Sequence, residues 1–146
     1  MDYIERLNEV ETRFNDKLKR QLSLDSLRRL ILKLSASEID ELSEHLKRLF
    51  DELESVVAME KPKIKSYLKA LNNVKKIVKD TYGYVAEGTI VGEYMAYGVA
   101  IGLMLGAAFT TLNTAFIAIG LPIGIAIGLS LGNSKESTLK KEGKIY

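Results

Sequence analysis

From Tyr94 to Ser134 the chain carries no charged residue, and glycines recur within that run on a four-residue beat: Gly98, Gly102 and Gly106, then Gly120, Gly124, Gly128 and Gly132. The run is long enough for two helical crossings of a bilayer, because a hydrocarbon core of about 30 Å takes roughly 17 to 25 residues per span. The residues from Thr110 to Thr114 are left to turn between them. In lipid, helices gain little from hydrophobicity when they associate, and small residues at every fourth position let their backbones approach closely. The pattern therefore predicts a membrane hairpin of two glycine-striped helices.

The small residues fall on more than one column. In the first span Gly88, Gly92, Ala96 and Ala100 form one, and Gly98, Gly102, Gly106 and Thr110 another. In the second, Ala118, Pro122, Ala126 and Ser130 lie about half a turn from the glycines. One column can pack within the hairpin and the other against a neighbouring chain, so the pattern predicts a homo-oligomer. Insertion energetics agree, since eight Ile and Leu of the second span contribute only roughly −2.4 to −4.8 kcal/mol before the cost of glycine and proline. The same span alternates large with small residues from Ile117 to Gly132, which is also a strand pattern. Pro122 removes a ladder donor, and membrane strands alternate apolar with polar, so helix is preferred. Glu93 sits at the entry to the first span. It is either a pore-lining or proton-sensitive acid inside the span or an interfacial residue just before it.

The N-terminal part has the opposite character, dense in charge with regularly spaced Leu, Ile and Val, whereas ten of the eleven glycines lie between Gly83 and Gly132. Spacings of three and four predict four amphipathic helices. The first carries Ile4, Leu7, Val10, Phe14, Leu18 and Leu22; the second follows Ser23 with Leu24, Leu27, Leu30, Ile31 and Leu34 inward and Arg28, Arg29 and Lys33 outward. The third starts at a capping box of Ser35 with Glu38, or in the competing frame of Ser37 with Asp40, and runs through Ile39, Leu42, Leu46, Leu49, Phe50, Leu53, Val56 and Val57. Pro62 suits the first turn of the fourth, whose stripe is Ile64, Leu68, Leu71, Val74, Ile77 and Val78. The expected fold is all-α: a helical, coiled-coil-like domain over residues 1–82, a glycine-rich transmembrane hairpin over 83–134 and a lysine-rich tail over 135–146.

Charge divides the third and fourth helices, with eight acids from Ser37 to Glu60 and, from Lys61 to Lys79, only the basic residues Lys61, Lys63, Lys65, Lys69, Lys75, Lys76 and Lys79. Packed side by side the two helices attract, although exposed pairs contribute only about 0 to 1 kcal/mol each. The same lysines are juxtamembrane, and with Lys135, Lys140, Lys141 and Lys144 beyond the hairpin they predict both termini on the cytoplasmic side of an inner membrane. Tyr82, Tyr84, Tyr94 and Tyr97 gather on the entry side, where they can anchor at headgroups. Met1 to Arg20 has no signal-peptide core. A net charge of +2 argues against nucleic acid, whose binders carry a strongly basic face. With one histidine, no cysteine and no phosphate-cradling loop or metal-ligand spacing, neither catalysis nor a cofactor is expected. His45 is read as a residue on the flank of the third helix.

The segments Gly98-Val-Ala-Ile-Gly-Leu-Met-Leu-Gly106 and Gly120-Leu-Pro-Ile-Gly-Ile-Ala-Ile-Gly128, followed by a lysine-rich tail, resemble bacterial glycine-zipper membrane proteins over the C-terminal third. The resemblance implies a self-associating two-helix membrane module and supplies no catalytic residues; Pro122 departs from it and can kink the second helix. Two functions follow as expectations. One is a membrane oligomer that permeabilises the bilayer as a toxin or defence effector. The other is a non-conducting anchor or scaffold whose domain over residues 1–82 recruits a protein partner. A third arrangement keeps the hairpin soluble and buried until triggered.

Overall fold

The computed structural model describes residues 3–58, 64–108 and 115–146 and is all-helical over them, apart from an isolated bridge between Val85 and Ile145. The described helices are α1 (Tyr3–Glu11), α2 (Asp16–Gln21), α3 (Leu24–Lys33), α4 (Ala36–Glu41), α5 (Ser43–Ala58), α6 (Ile64–Tyr82), α7 (Thr89–Ala108) and α8 (Ala115–Lys141). They form two compact units, residues 1–84 with Tyr146 and residues 85–145. Pro62, Lys61, Lys63 and the expected turn from Thr110 to Thr114 lie outside the described residues.

The first unit is a helical bundle in which α5 packs on α6, α1 on α3 and α5, and α2 on α3. Its apolar stripes are buried much as their spacing predicts: Leu7, Val10, Phe14 and Leu22, then all five of Leu24, Leu27, Leu30, Ile31 and Leu34, then Leu42, Leu46, Leu49, Phe50, Leu53 and Val56. Each fully buried large aliphatic side chain contributes about 1.5–3 kcal/mol relative to exposure. Those stripes hold the bundle together.

Two expected helices are interrupted. The first breaks between Glu11 and Asp16, because the Asn15 side chain accepts from the Leu18 amide at 2.9 Å and so starts α2 afresh. Phe14 stays buried within the break, which keeps the stripe continuous although the helix is not. The third breaks at Leu42, between α4 and α5. Its start is the Ser35 and Glu38 capping box, with the Ser35 amide donating to the Glu38 carboxylate at 2.7 Å and the Glu38 amide to Ser35 Oγ at 3.4 Å. The Ser35 amide, and the Ser35 hydroxyl donating to the same carboxylate at 2.8 Å, hold the Glu38 carboxyl below the usual carboxylate range. Ser23 does not cap α3 with its side chain; it takes a left-handed conformation with φ 53°.

Two acids of α5, Asp51 and Glu54, also find a partner on α1. Arg6 of α1 donates to Glu54 at 2.6 Å and to Asp51 at 3.0 Å, and its guanidinium lies 5.3 Å from the Phe50 ring centroid. Arg28, expected outward, is half-buried and reaches Asn8 at 2.7 Å and Glu11 at 2.6 Å. These pairs tie α1 to its neighbours and orient it.

On α6 the buried face is Tyr67, Leu71, Val74 and Val78, with Ile64, Leu68 and Ile77 half-buried. Tyr67 is fully buried, and its hydroxyl donates to the Leu22 carbonyl at 3.0 Å, so its polar tip is satisfied where the helical chain turns from α2 to α3. Burial pushes its phenol pKa up. Replacing Tyr67 with Phe leaves the Leu22 carbonyl without that donor and should cost about 1 kcal/mol, whereas Tyr67→Ala should cost about 3–5 kcal/mol. Denaturant unfolding followed by circular dichroism measures both, and equal losses would contradict this placement of the ring.

Candidate functional site

In the second unit α7 and α8 run antiparallel, and glycines make their contact. Among the described residues of α7 only Ile90, Gly98, Gly102 and Gly106 are buried, and on α8 the buried positions are Gly124, Gly128 and Gly132. A Cβ placed on Gly98 would strike the Gly124 carbonyl, one on Gly102 the Gly120 carbonyl, and one on Gly124 the Gly98 carbonyl and, at 2.9 Å, the Gly102 Cα. Gly120 faces Gly102 and Gly106, with the Gly106 Cα 3.2 Å from its Cβ position. The seam continues, because a Cβ on Gly128 would lie 2.5 Å from the Tyr94 carbonyl oxygen and one on Gly132 2.8 Å from the Val91 Cα.

These obstacles are main chain on both sides. The axes therefore lie closer than the about 8–10 Å that side chains ordinarily impose. At that distance each glycine Cα–H can approach a carbonyl of the opposite helix, a weak attraction repeated along the seam. The large residues are displaced outward, and Met104, Ile119, Ile123, Ile127 and Leu131 are each more than half exposed. Pro122 lies on the outer side of α8, exposed, where its missing N–H does not concern the seam.

The column of Gly88, Gly92, Ala96 and Ala100 takes no part in this contact. A Cβ on Gly88 or Gly92 meets nothing within 4 Å, and Ala96 and Ala100 are exposed. Gly88, with φ +81°, instead serves the turn into α7. The second small column of α8, Ala118, Pro122, Ala126 and Ser130, is exposed along its length. Glu93 is half-buried one turn into α7 and is engaged in an interaction.

The charged end of the pair is fastened by residues that spacing did not single out. The Glu136 carboxylate accepts from the Gly88 amide at 3.0 and 3.1 Å and from the Val91 amide at 3.4 Å, capping the start of α7 from the far end of α8. Such a carboxylate satisfies amides that have no partner within their own helix and complements the helix dipole. Lys140 reaches Glu87 at 3.3 Å, and the Val85 amide donates to the Lys144 carbonyl at 2.9 Å. The segment expected as a separate tail is thus, up to Lys141, the end of α8. It stops in a Schellman turn: the Gly143 amide donates to Lys140 at 3.1 Å and the Lys144 amide to Leu139 at 2.8 Å, with Gly143 at φ 68°.

Of the lysines expected to flank a membrane, those within the described residues lie on α6, where Lys65, Lys69 and Lys76 are exposed and Lys75 and Lys79 half-buried. Burial lowers the Lys75 pKa.

The seam makes opposite predictions for glycines of the same helix. Gly98→Ala and Gly124→Ala should destabilise the α7–α8 pair by about 1–3 kcal/mol, because a methyl forces two backbones apart. Gly92→Ala should be neutral or stabilising by up to about 1 kcal/mol, since it adds helix propensity in open space. Unfolding of the full chain in mild detergent by added dodecyl sulfate measures the three; equal effects would contradict the seam. Comparison of the chain with protein families, with curated proteins and with solved structures yields no match, so the resemblance to glycine-zipper proteins rests on the glycine pattern alone.

Proposed function

We propose that the chain is a membrane protein whose α7 and α8 cross the bilayer as a close pair and anchor the helical domain at the cytoplasmic surface, where that domain recruits a protein partner. The contrast in exposed apolar side chains carries the reading. Among the described residues of the first unit, Leu32 alone is an exposed large hydrophobic, whereas α7 and α8 expose Ile101, Leu103, Met104, Leu105, Ile119, Ile123, Ile127 and Leu131. Soluble chains rarely leave continuous apolar faces to water, and lipid accepts them at no cost.

Dimensions support it. α7 has 20 residues, is long and apolar enough to cross a membrane by length and composition, and has 22% of its apolar window buried, where the core helix of a soluble protein would be mostly buried. At 1.5 Å per residue it extends about 30 Å, the thickness of a hydrocarbon core. α8 is free of charge from Ala115 to Ser134 and then carries Lys135, Lys140 and Lys141. Lysines on α6 and at the end of α8 favour one and the same cytoplasmic side for both flanks.

A permeabilising homo-oligomer is the second reading, and the exposed column of Ala118, Pro122, Ala126 and Ser130 favours it by offering a face for a neighbouring chain. The anchor is preferred because the glycine face is already occupied within the chain and the outer faces are apolar, which gives water no lining. The test is reconstitution into phosphatidylethanolamine and phosphatidylglycerol liposomes at several chains per vesicle. The anchor predicts protein retained after carbonate washing and vesicles that hold a trapped dye. Dye release would select the permeabilising oligomer, and protein freed by carbonate would overturn both.

A further inference from the structure

Within the helical bundle, along the outer edge of the α5–α6 seam, lies a groove of about 710 Å³ lined by His45, Arg48 and Glu52 of α5 and by Lys69, Asn73 and Lys76, among others, of α6. The three residues of α5 are spaced by three and four, as are the three of α6, so each set shares a helix face that borders the groove. Arg6 and Arg28 of the same bundle are paired with carboxylates. Arg48, Lys69 and Lys76 form no ion pair among the described residues. One carboxylate, Glu52, faces these three cations.

An excess of fixed positive charge around a concavity raises the local concentration of anions, and the uncompensated repulsion among the cations is relieved when an anion enters. The donors suit one kind of anion. Arg48 can present a two-pronged N–H fork, Lys69 and Lys76 three N–H bonds each, and the Asn73 amide and His45 imidazole add further donors, an inventory matched to the several oxygens of a phosphate. The groove is larger than a bare phosphate and within the usual range of about 300–1,000 Å³ for small-molecule sites.

We propose that this groove binds a phosphate-bearing group, with Arg48, Lys69 and Lys76 holding the phosphate oxygens and Asn73 and His45 completing the donor set. The phosphate is carried either by a soluble phosphorylated compound or by a lipid headgroup. The site lies wholly within the bundle and stands independently of whether α7 and α8 cross a membrane.

The test uses the full chain in a neutral detergent, with backbone amide NMR shifts of Asn72 and Asn73 as the readout. One arm titrates inorganic pyrophosphate; the other dopes the micelles with phosphatidylglycerol against phosphatidylcholine. Saturable shifts in the first arm assign a soluble ligand, and shifts in the second arm alone assign a headgroup. In either case Arg48→Gln combined with Lys69→Gln should weaken binding about tenfold or more, the loss expected for hydrogen bonds to charged groups. Lys17→Gln combined with Arg20→Gln, two exposed positions on α2, should leave it unchanged. Glu52→Gln should strengthen binding by about threefold, the scale of one exposed charge pair. Absence of shifts in both arms, or equal binding by the groove and α2 variants, would overturn the proposal.

Discussion

Main chain meets main chain where Gly98 and Gly102 face Gly120 and Gly124, and the rest of the second unit is arranged by that contact. A helix pair normally keeps its distance through interdigitating side chains, which use up apolar groups in the interface. Here the glycine positions meet main chain instead. Ile119, Ile123, Ile127 and Leu131 are left for the outer surface, and the pair carries its apolar residues outside and its backbone inside. In water this arrangement would be unfavourable, whereas in lipid it pairs the close packing that helices need there with the surface that acyl chains accept.

The alternation of large and small residues in α8 has its explanation in the same contact. Read as a strand it would give one apolar and one small face; wound into a helix it gives two small columns on opposite sides with isoleucines and leucines between them. One small column is the seam, and the other, from Ala118 to Ser130, faces outward together with Pro122. The proline lies on the outer side, away from the seam. At the charged end the contact is reinforced by chemistry of a different kind, the Glu136 carboxylate on the Gly88 and Val91 amides. The Lys140 and Glu87 pair is exposed and contributes little by itself, so the carboxylate cap is the stronger of the two fasteners.

Much of this was legible in residue spacing and some was not. The buried stripes of α3 and α5, the Ser35 and Glu38 capping box and the glycine seam are local or strictly periodic, and periodicity reports which face is buried. The breaks at Asn15 and Leu42 escaped because a buried stripe can continue through a gap in a helix, as Phe14 does. Tyr67 escaped because the acceptor that satisfies its buried hydroxyl, the Leu22 carbonyl, is 45 positions away. Glu136 escaped for the same reason, its partner amide being 48 positions distant. The glycine beat could not tell which of two columns in the first span would be used, and Gly88 and Gly92 fall outside the contact. Charge was the least informative signal: Asp51 and Glu54 of α5 pair with Arg6 of α1, which spacing did not single out, because long side chains choose partners by three-dimensional proximity.

The bundle and the helix pair divide the chain into a part that hides its apolar groups and a part that displays them, and the claim that lipid covers the second part is open to direct measurement. The chain has no cysteine, so single cysteines can be introduced at Asp25, Thr111 and Ser137 and labelled with a membrane-impermeant maleimide in sealed vesicles of both orientations. Two crossings predict that Asp25→Cys and Ser137→Cys react from one and the same face and Thr111→Cys from the opposite face. Reaction of all three from a single face would contradict the account.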